Sequence, residues 1–439
     1  MTVSLMTSVA KKKDSLLYIY IACLCLYMYD FADILWLERI PVSVISLFAI
    51  IVSFVKIVQI KSPITSQQLL LCYCFLLYSF LCFFFSNWGV GVFYITVSTL
   101  FIVTTSVILL PIDEKKLLFN AISKCMVFII IISVPAWLLF LAGVDLPHSD
   151  VIYHPNGFHE YYDYRFFRLD ARNDEVMDLI IPRFQSMFLE PGQFATPCVF
   201  LFFLNGARFS RKNLPFIIGI ILSFSLVGMV LFLGSIIARK IIIKEKHLFI
   251  KFLLIAIVVG GIGYYFTQYI NQENSVNEYV FSRLEYDEDK GISGNNRTSS
   301  YFDRKYQIFL QSSDRYLGMG QQLKEGYDWT YNCSGYKKFI VRHGLIGFGI
   351  FMFFIFLMFF FYKSKPGFFF LAIVVIAFFI RDLLQAPLWL FIAIVGFNIL
   401  KDKQENPFSL ELDNPKSFNR EKMQSANLSL RKKIFKDVC

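Results

Sequence analysis

The sequence predicts an all-α polytopic membrane protein with about 12 transmembrane segments, two of them short and paired, and two large loops on the outer side. Hydrophobic residues make up 56% of the 439 residues and charged residues only 17%. Apolar runs of about 18 or more residues recur, which is the length that a helix needs to cross a bilayer. Lysine and arginine concentrate in short loops and at the C-terminus, as in cytoplasmic segments of membrane proteins.

The predicted spans follow from comparing apolar runs with basic loops. The first run comes after Lys11 to Lys13 and has no small-residue cleavage site, so we expect this helix to be retained. When the stretch 214–238 is counted as two segments, both termini are predicted to be cytoplasmic. The spans lie near 15–36, 40–60, 66–85, 89–110, 120–144, 186–204, 214–224, 226–238, 248–267, 339–362, 367–381 and 384–400.

These spans alternate with polar segments and divide the chain into regions. They are N-terminal transmembrane helices at 1–144, a first large outer loop at 145–185, central transmembrane helices at 186–267, a second large outer loop at 268–338, C-terminal transmembrane helices at 339–400 and a basic cytoplasmic tail at 401–439.

The stretch 214–238 is predicted to be a broken hairpin of two half-length helices. By length it could be a single helix, but basic residues lie at both of its ends, within 208–212 and within 239–246. Both ends therefore favour the cytoplasm. Ser223 and Ser225 suit a break between the halves, which is tolerated where protein or water satisfies the backbone.

Charge and cysteine usage argue against a nucleic-acid-binding protein and against a protein with a metal site. The net charge is +10, but its position in short loops is typical of a topology signal and not of a nucleic-acid surface. Most cysteines fall in apolar runs without Cys/His ligand spacing, so no metal site is expected. The Asp287-Glu288-Asp289 run is interpreted as solvated charge.

The first outer loop is dense in aromatic and cationic side chains, among them Tyr162, Arg165 and Arg168. Aromatic faces beside hydrogen-bonding groups suit a sugar, whose CH faces pack on rings. A small self-packed cap explains the same composition equally well. The sequence is compatible with both interpretations.

The second outer loop is predicted to carry an amphipathic helix at 299–311, capped by Ser299 or Ser300 and ended before Gly318. Arg297 lies just before this helix and Arg304 within it. Arginine presents a planar fork of donors that suits phosphate. Outer loops that present arginines beside a membrane indicate an anionic head group at the lipid surface.

Several motifs together resemble the Wzy-type O-antigen and capsule polymerases, which share a superfamily with the O-antigen ligases. "RFQSMFLEPGQF" is similar to the Arg-Phe…Glu-Pro element of that family, and "GNNRTSSY…YLGMG" to its Gly-x-Arg…Gly-x-Gly element. "RHGLIGFG" matches its Gly-Leu-Ile-Gly turn, and "LSFSLVG" resembles its serine-bearing helix break. The matches span roughly residues 150–350, and their order and spacing are more specific than any one of them.

Two departures from the family pattern bear on whether the sequence resembles the ligases or the polymerases. Ligases carry a histidine at the position that Cys333 occupies, followed here by Ser334. This favours a polymerase, although His343 or Tyr331 could substitute. The spacing from Arg297 to Gly318 is also longer than the family pattern.

The resemblance implies a GT-C-like fold in the bacterial inner membrane, with both large loops in the periplasm. It implies transfer of a growing glycan from undecaprenyl diphosphate to a lipid-linked repeat unit, without metal or cofactor. The implied partners are these lipid-linked oligosaccharides, membrane lipid and a chain-length regulator protein, but no nucleic acid. The implied catalytic residues are Glu190, Arg183 and Arg297, and the implied substrate-binding residues are Arg304, Arg165, Arg168, Tyr162, Tyr331 and His343.

The role of Glu190 is left open by the sequence. It is either the base, its proton affinity raised by apolar surroundings, or a carboxylate that pairs with Arg183 and orients it. The runner-up functions are an O-antigen ligase and a transporter or flippase of lipid-linked oligosaccharides. A transporter usually shows repeated halves and charges within the membrane, whereas here the polar residues concentrate in two loops.

Overall fold

The computed structural model describes residues 15–29, 42–85, 90–153, 160–170, 182–244, 300–320, 335–381 and 386–405, with short pieces at 286–287 and 291–292 and single residues at 261, 265 and 384. This part of the chain is mostly helical, as predicted. Its α-helices are α1 (Ser15–Tyr29), α2 (Val42–Gln59), α3 (Ser66–Phe85), α4 (Val90–Leu109), α5 (Ile112–Leu141), α6 (Pro191–Leu204), α7 (Leu214–Leu222), α8 (Leu226–Ile242), α9 (Ser300–Gln311), α10 (Tyr336–Phe361), α11 (Lys365–Ile380) and α12 (Pro387–Glu405).

Two of the described helices, α5 and α10, are long and apolar enough to cross a membrane. Most predicted spans coincide with a helix, while the one near 248–267, apart from residues 261 and 265, lies outside the described residues. The structure tests neither the count of 12 segments nor the periplasmic position of the loops, and both stay predictions.

The predicted break within 214–238 is confirmed, but only α7 is short: α8 has 17 residues and extends beyond the predicted 226–238. α7 ends at Leu222 and α8 begins at Leu226. Between them, Ser223 Oγ accepts a hydrogen bond from the Ser225 amide at 3.2 Å, and Ser225 Oγ accepts one from the Gly228 amide at 3.3 Å. Phe224 adopts a positive φ of 44°. The serines therefore satisfy backbone donors that a helix break leaves open.

The central element of the bundle is α6, which packs against α7, α8, α11 and α12. Every residue of α6 from Phe194 to Leu204 is buried. Phe200 lies edge-on against Trp389 of α12, with ring centroids 5.8 Å apart, and Phe203 stacks on Phe370 of α11. A helix enclosed on all sides has a fixed position, so the residue at its head, Glu190, is fixed with it.

One end of the bundle is capped by lysines. Helix C-termini carry partial negative charge on their last carbonyls, which attracts cations. In the described part of the chain, four lysines donate from one helix to a carbonyl in the last turn of another: Lys115 to Ile108, Lys365 to Ile242, Lys401 to Phe361 and Lys403 to Leu204. Some of the basic residues that the sequence analysis interpreted as a topology signal therefore also stabilise helix ends.

Sidedness is testable by cysteine labelling with a membrane-impermeant maleimide on intact cells. In a background without native cysteines, we expect labelling of Asp150→Cys but not of Arg211→Cys or Lys244→Cys. All three positions are exposed, so the difference would report the side of the membrane and not burial. Labelling at residue 244 from outside would contradict the arrangement of α7 and α8 as paired half-helices with both outer ends in the cytoplasm.

Candidate functional site

Glu190 lies at the head of the buried helix α6. It occupies the N-cap position, and Pro191 fills the first helical position, where a missing N–H costs nothing. The Glu190 carboxylate forms an ion pair with Arg381, which directly follows α11. The Arg381 side chain is 9% exposed and that of Glu190 27% exposed. The carboxylate is thus the outward-facing member of the pair.

Gly192 makes room for this arginine. A Cβ at Gly192 would lie 2.5 Å from Nε and Nη2 of Arg381. Real Cβ atoms do not approach a neighbour so closely, so a larger residue would displace the guanidinium. The glycine of the Glu-Pro-Gly sequence therefore has a packing role.

Arg183 joins the Arg-Phe element to the break between α7 and α8. Its Nη2 donates to the Phe224 carbonyl at 3.2 Å. The neighbouring Phe184 amide donates to the Leu222 carbonyl at 3.1 Å. The Phe184 ring is fully buried and lies edge-on to Trp137 of α5, at 5.5 Å between centroids. The half-buried guanidinium is thereby fixed at the break.

The segment after Arg183 also binds the loop at 145–185, which the sequence predicts to be the first outer loop. Ser186 has a positive φ of 52°, and its hydroxyl lies 2.8 Å from that of Ser133 in α5. Its carbonyl accepts a hydrogen bond from the Arg168 amide at 2.7 Å. The loop, α5 and the head of α6 therefore form one connected unit.

The described part of the first loop forms a small antiparallel sheet of β1 (Ile152–Tyr153), β2 (Glu160–Asp163) and β3 (Arg168–Asp170) in the order β1-β2-β3. Arg168 is buried, donates to Asp163 at 3.3 Å and covers the Tyr161 ring at 4.9 Å. Tyr164 stacks on Phe167 with centroids 4.7 Å apart. These contacts favour the self-packed interpretation for Arg168.

Other candidates in this loop are more accessible. Arg165 is exposed and lies in a turn with φ of 70°. Tyr162 is half-buried and meets the His148 ring edge-on at 5.3 Å. A sugar-binding role for Tyr162, Arg165 or Arg168 stays a prediction.

The amphipathic helix predicted at 299–311 is confirmed as α9. Its apolar face, formed by Phe302, Tyr306 and Phe309, packs on Ile340 and Val341 of α10. On the helix surface, Lys337 of α10 pairs with Asp303 at 2.7 Å. Arg304 is exposed, away from this packed face.

The "YLGMG" and "RHGLIG" motifs bind each other through their backbones. The Met319 amide donates to the Val341 carbonyl at 2.8 Å, and the Ile346 amide to the Tyr316 carbonyl at 3.1 Å. Gly344 interrupts α10 with φ of 71° and ψ of 172°. Both motifs were recognised in the sequence, but their contact was not predicted. We call this contact, of residues 316–320 with residues 341–346, the glycine junction.

His343 adjoins the glycine junction. Its ring packs on Phe339 at 4.5 Å between centroids and lies 6.1 Å from Tyr78 of α3. Three other residues of interest, Arg297, Tyr331 and Cys333, lie outside the described residues. Within the part of the chain that the structure describes, no group of three or more His, Cys, Asp or Glu side chains is placed to hold a metal ion.

Sequence reasoning missed Arg381 as a site residue. Its sequence signal was a single basic residue, followed by Asp382, in a short loop between two predicted spans. A carboxylate and a cation, each next to an apolar helix, are candidates for pairing, because neither charge is readily buried alone. Whether Glu190 also orients Arg183 stays a prediction.

Comparisons with known proteins leave the family of this chain open. No family model matches the sequence. The search of curated proteins found no match either. The function of this chain is therefore inferred from the site itself.

Proposed function

We propose that this protein is a polysaccharide polymerase of the bacterial inner membrane, acting on its periplasmic face. It would join oligosaccharide repeat units carried on undecaprenyl diphosphate into O-antigen or capsular polysaccharide. The observation that supports this most directly is the Arg183–Phe224 contact. It joins an arginine to the helix break between α7 and α8, and Glu190 at the start of α6 follows this arginine by seven residues.

The reaction is a glycosyl transfer between two lipid-linked substrates. A hydroxyl at the non-reducing end of the new repeat unit attacks the anomeric carbon of the growing chain. The bond from that carbon to the lipid diphosphate breaks, the diphosphate leaves with the electron pair, and the hydroxyl proton passes to water. Such chemistry needs cations at the leaving group and a carboxylate near the attacking hydroxyl.

The residues divide between these two tasks. Arg183 and Arg297 would contact the diphosphate, together with Arg304, because guanidinium groups bind phosphate oxygens in a bidentate manner. Glu190 would act at the acceptor hydroxyl. An adjacent guanidinium favours the ionised form of a carboxylate, so the ion pair with Arg381 supports an ionised Glu190 that accepts a hydrogen bond from the acceptor hydroxyl, more than a carboxyl group whose proton affinity is raised by apolar surroundings.

The test is reconstitution of the purified full chain with lipid-linked repeat units extracted from a strain that lacks this protein. We expect a ladder of polymer lengths on a gel, still attached to lipid diphosphate. Transfer of single units to an acceptor lipid without a ladder would indicate a ligase. In cells lacking the gene, repeat units trapped on the cytoplasmic face would indicate a flippase.

Cys333 provides a separate test of where the chemistry lies. It occupies the position at which ligases of the resembling superfamily carry histidine. If it has no catalytic role, Cys333→Ala should retain most of the polymer ladder at an unchanged membrane level. Complete loss of the ladder with normal protein abundance would place the chemistry at Cys333 and not at Glu190 and the arginines.

A further inference from the structure

Two arginines are buried among the described residues, and they are paired in different ways. Arg168 pairs with Asp163, five residues away in the same small sheet. Arg381 pairs with Glu190, 191 residues away. Burying an arginine costs several kcal/mol unless a partner compensates, and a local partner like Asp163 meets that need. The distant pair does more, because it joins the head of α6 to the end of α11.

The backbone of Arg381 is fixed by the start of α10. Gly335 precedes that helix with φ of 92°. A Cβ there would lie 3.0 Å from the Ile380 carbonyl. Tyr336 packs on Phe379, with ring centroids 5.0 Å apart. The guanidinium thus extends from a point held by α10 and α11 together.

The other end of the arginine is fixed by α6. The guanidinium lies against Gly192 in the first turn, in space that any Cβ would fill. It also lies behind the more exposed carboxylate. Because the cation is buried and the anion is the more exposed partner, substrate would meet Glu190, while Arg381 supports it from the interior.

We propose that Arg381 is a positioning residue that acts through Glu190, and that Gly192 provides the space for its guanidinium. Arg381 keeps the Glu190 carboxylate ionised and in place at the N-terminus of α6. There the carboxylate accepts a hydrogen bond from the attacking sugar hydroxyl. This inference rests on the proposed function and names the group that makes Glu190 effective.

The test is a double-mutant cycle on the purified full chain, with kcat, KM and the apparent melting midpoint measured for each variant. Arg381→Gln should lower kcat by about 10²-fold with little change in KM, because misplacing a catalytic group slows the chemical step. Glu190→Gln should have a similar effect. The double variant should be no more than about twofold slower than Glu190→Gln alone, because groups that act as a unit do not add.

Two further variants keep the charge of Arg381 and guard against loss of folding. Arg381→Lys should recover part of the lost kcat, and Gly192→Ala, which displaces the guanidinium, should lower kcat at unchanged KM. Matched controls are Gly349→Ala, where a Cβ meets open space, and the exposed Arg211→Gln. Both controls should behave like wild type.

The outcomes separate this inference from the proposed function. Additive losses of Arg381→Gln and Glu190→Gln, or wild-type kcat in Gly192→Ala, would overturn the positioning role. A fall in the melting midpoint with kcat unchanged in the surviving protein would do the same, since it indicates a purely structural ion pair. A wild-type chain that forms no polymer would instead overturn the proposed function.

Discussion

Arg183→Lys should lower polymerisation by about 10²–10³-fold, the usual cost of removing one donor to developing charge. The guanidinium offers five N–H donors in a fork, so it can bind the Phe224 carbonyl and still present donors to a diphosphate. An ammonium presents its three donors from a single point and cannot make both contacts in the same geometry. The measurement is the polymer length distribution on a gel, with membrane abundance determined alongside.

Other arginines provide the comparison for this result. Arg297→Lys should be as severe if both arginines contact the diphosphate. Arg165→Lys and Arg168→Lys should be milder, since the first is exposed and the second pairs within the small sheet. The exposed Arg211→Lys should have no effect. Near-normal ladders from both Arg183→Lys and Arg297→Lys would remove the diphosphate role from the proposal.

Features of the fold that depend on local sequence were predictable. The break at Ser223 and Ser225 follows from charge at both ends of one apolar stretch together with residues that cap helices. The amphipathic spacing of Phe302, Tyr306 and Phe309 predicted α9, and α10 covers that face. In each case the signal lies within one short segment.

The start of α5 was not predictable in the same way. The helix begins at Ile112, before the predicted span near 120–144, and its first turn contains Asp113 and Glu114. In a hydropathy plot, charged residues at such a position are typical of a loop. Acidic residues suit a helix N-terminus, and the buried Lys115 donates to Asn398 of α12 at 3.2 Å. That partner is 283 residues away, so no local pattern could reveal it.

The candidate site shows the same limit. Glu190 was identifiable because a carboxylate beside an apolar helix costs free energy unless a partner or a function compensates for it. Its partner Arg381 was not identifiable, because the pairing depends on how α6 and α11 meet. Likewise the glycine motifs were visible separately, while their contact depends on the path of the chain between 320 and 335, which the sequence does not specify.

The glycine junction should be the most sensitive structural element of the site. Gly344 combines positive φ with extended ψ, a region that is essentially restricted to glycine and costs about 1–3 kcal/mol for other residues. A Cβ on Gly344 would also collide with the Tyr316 carbonyl, and one on Gly318 would lie 2.6 Å from the Gly344 amide nitrogen. Backbone atoms on both sides leave little room for relaxation.

Gly344→Ala and Gly318→Ala should therefore each separate residues 316–320 from α10 and abolish most of the polymer ladder. Limited proteolysis should detect faster cleavage after Arg315 or Lys324, because the segment loses its hydrogen bonds to Val341 and Arg342. Gly349→Ala, in the same helix with open space around its Cβ, should leave cleavage and ladder unchanged. If both junction variants kept wild-type cleavage and ladders, the contact between the two motifs would not be required for function. The loss is expected from both sides of the junction, since each glycine makes room for the backbone of the other.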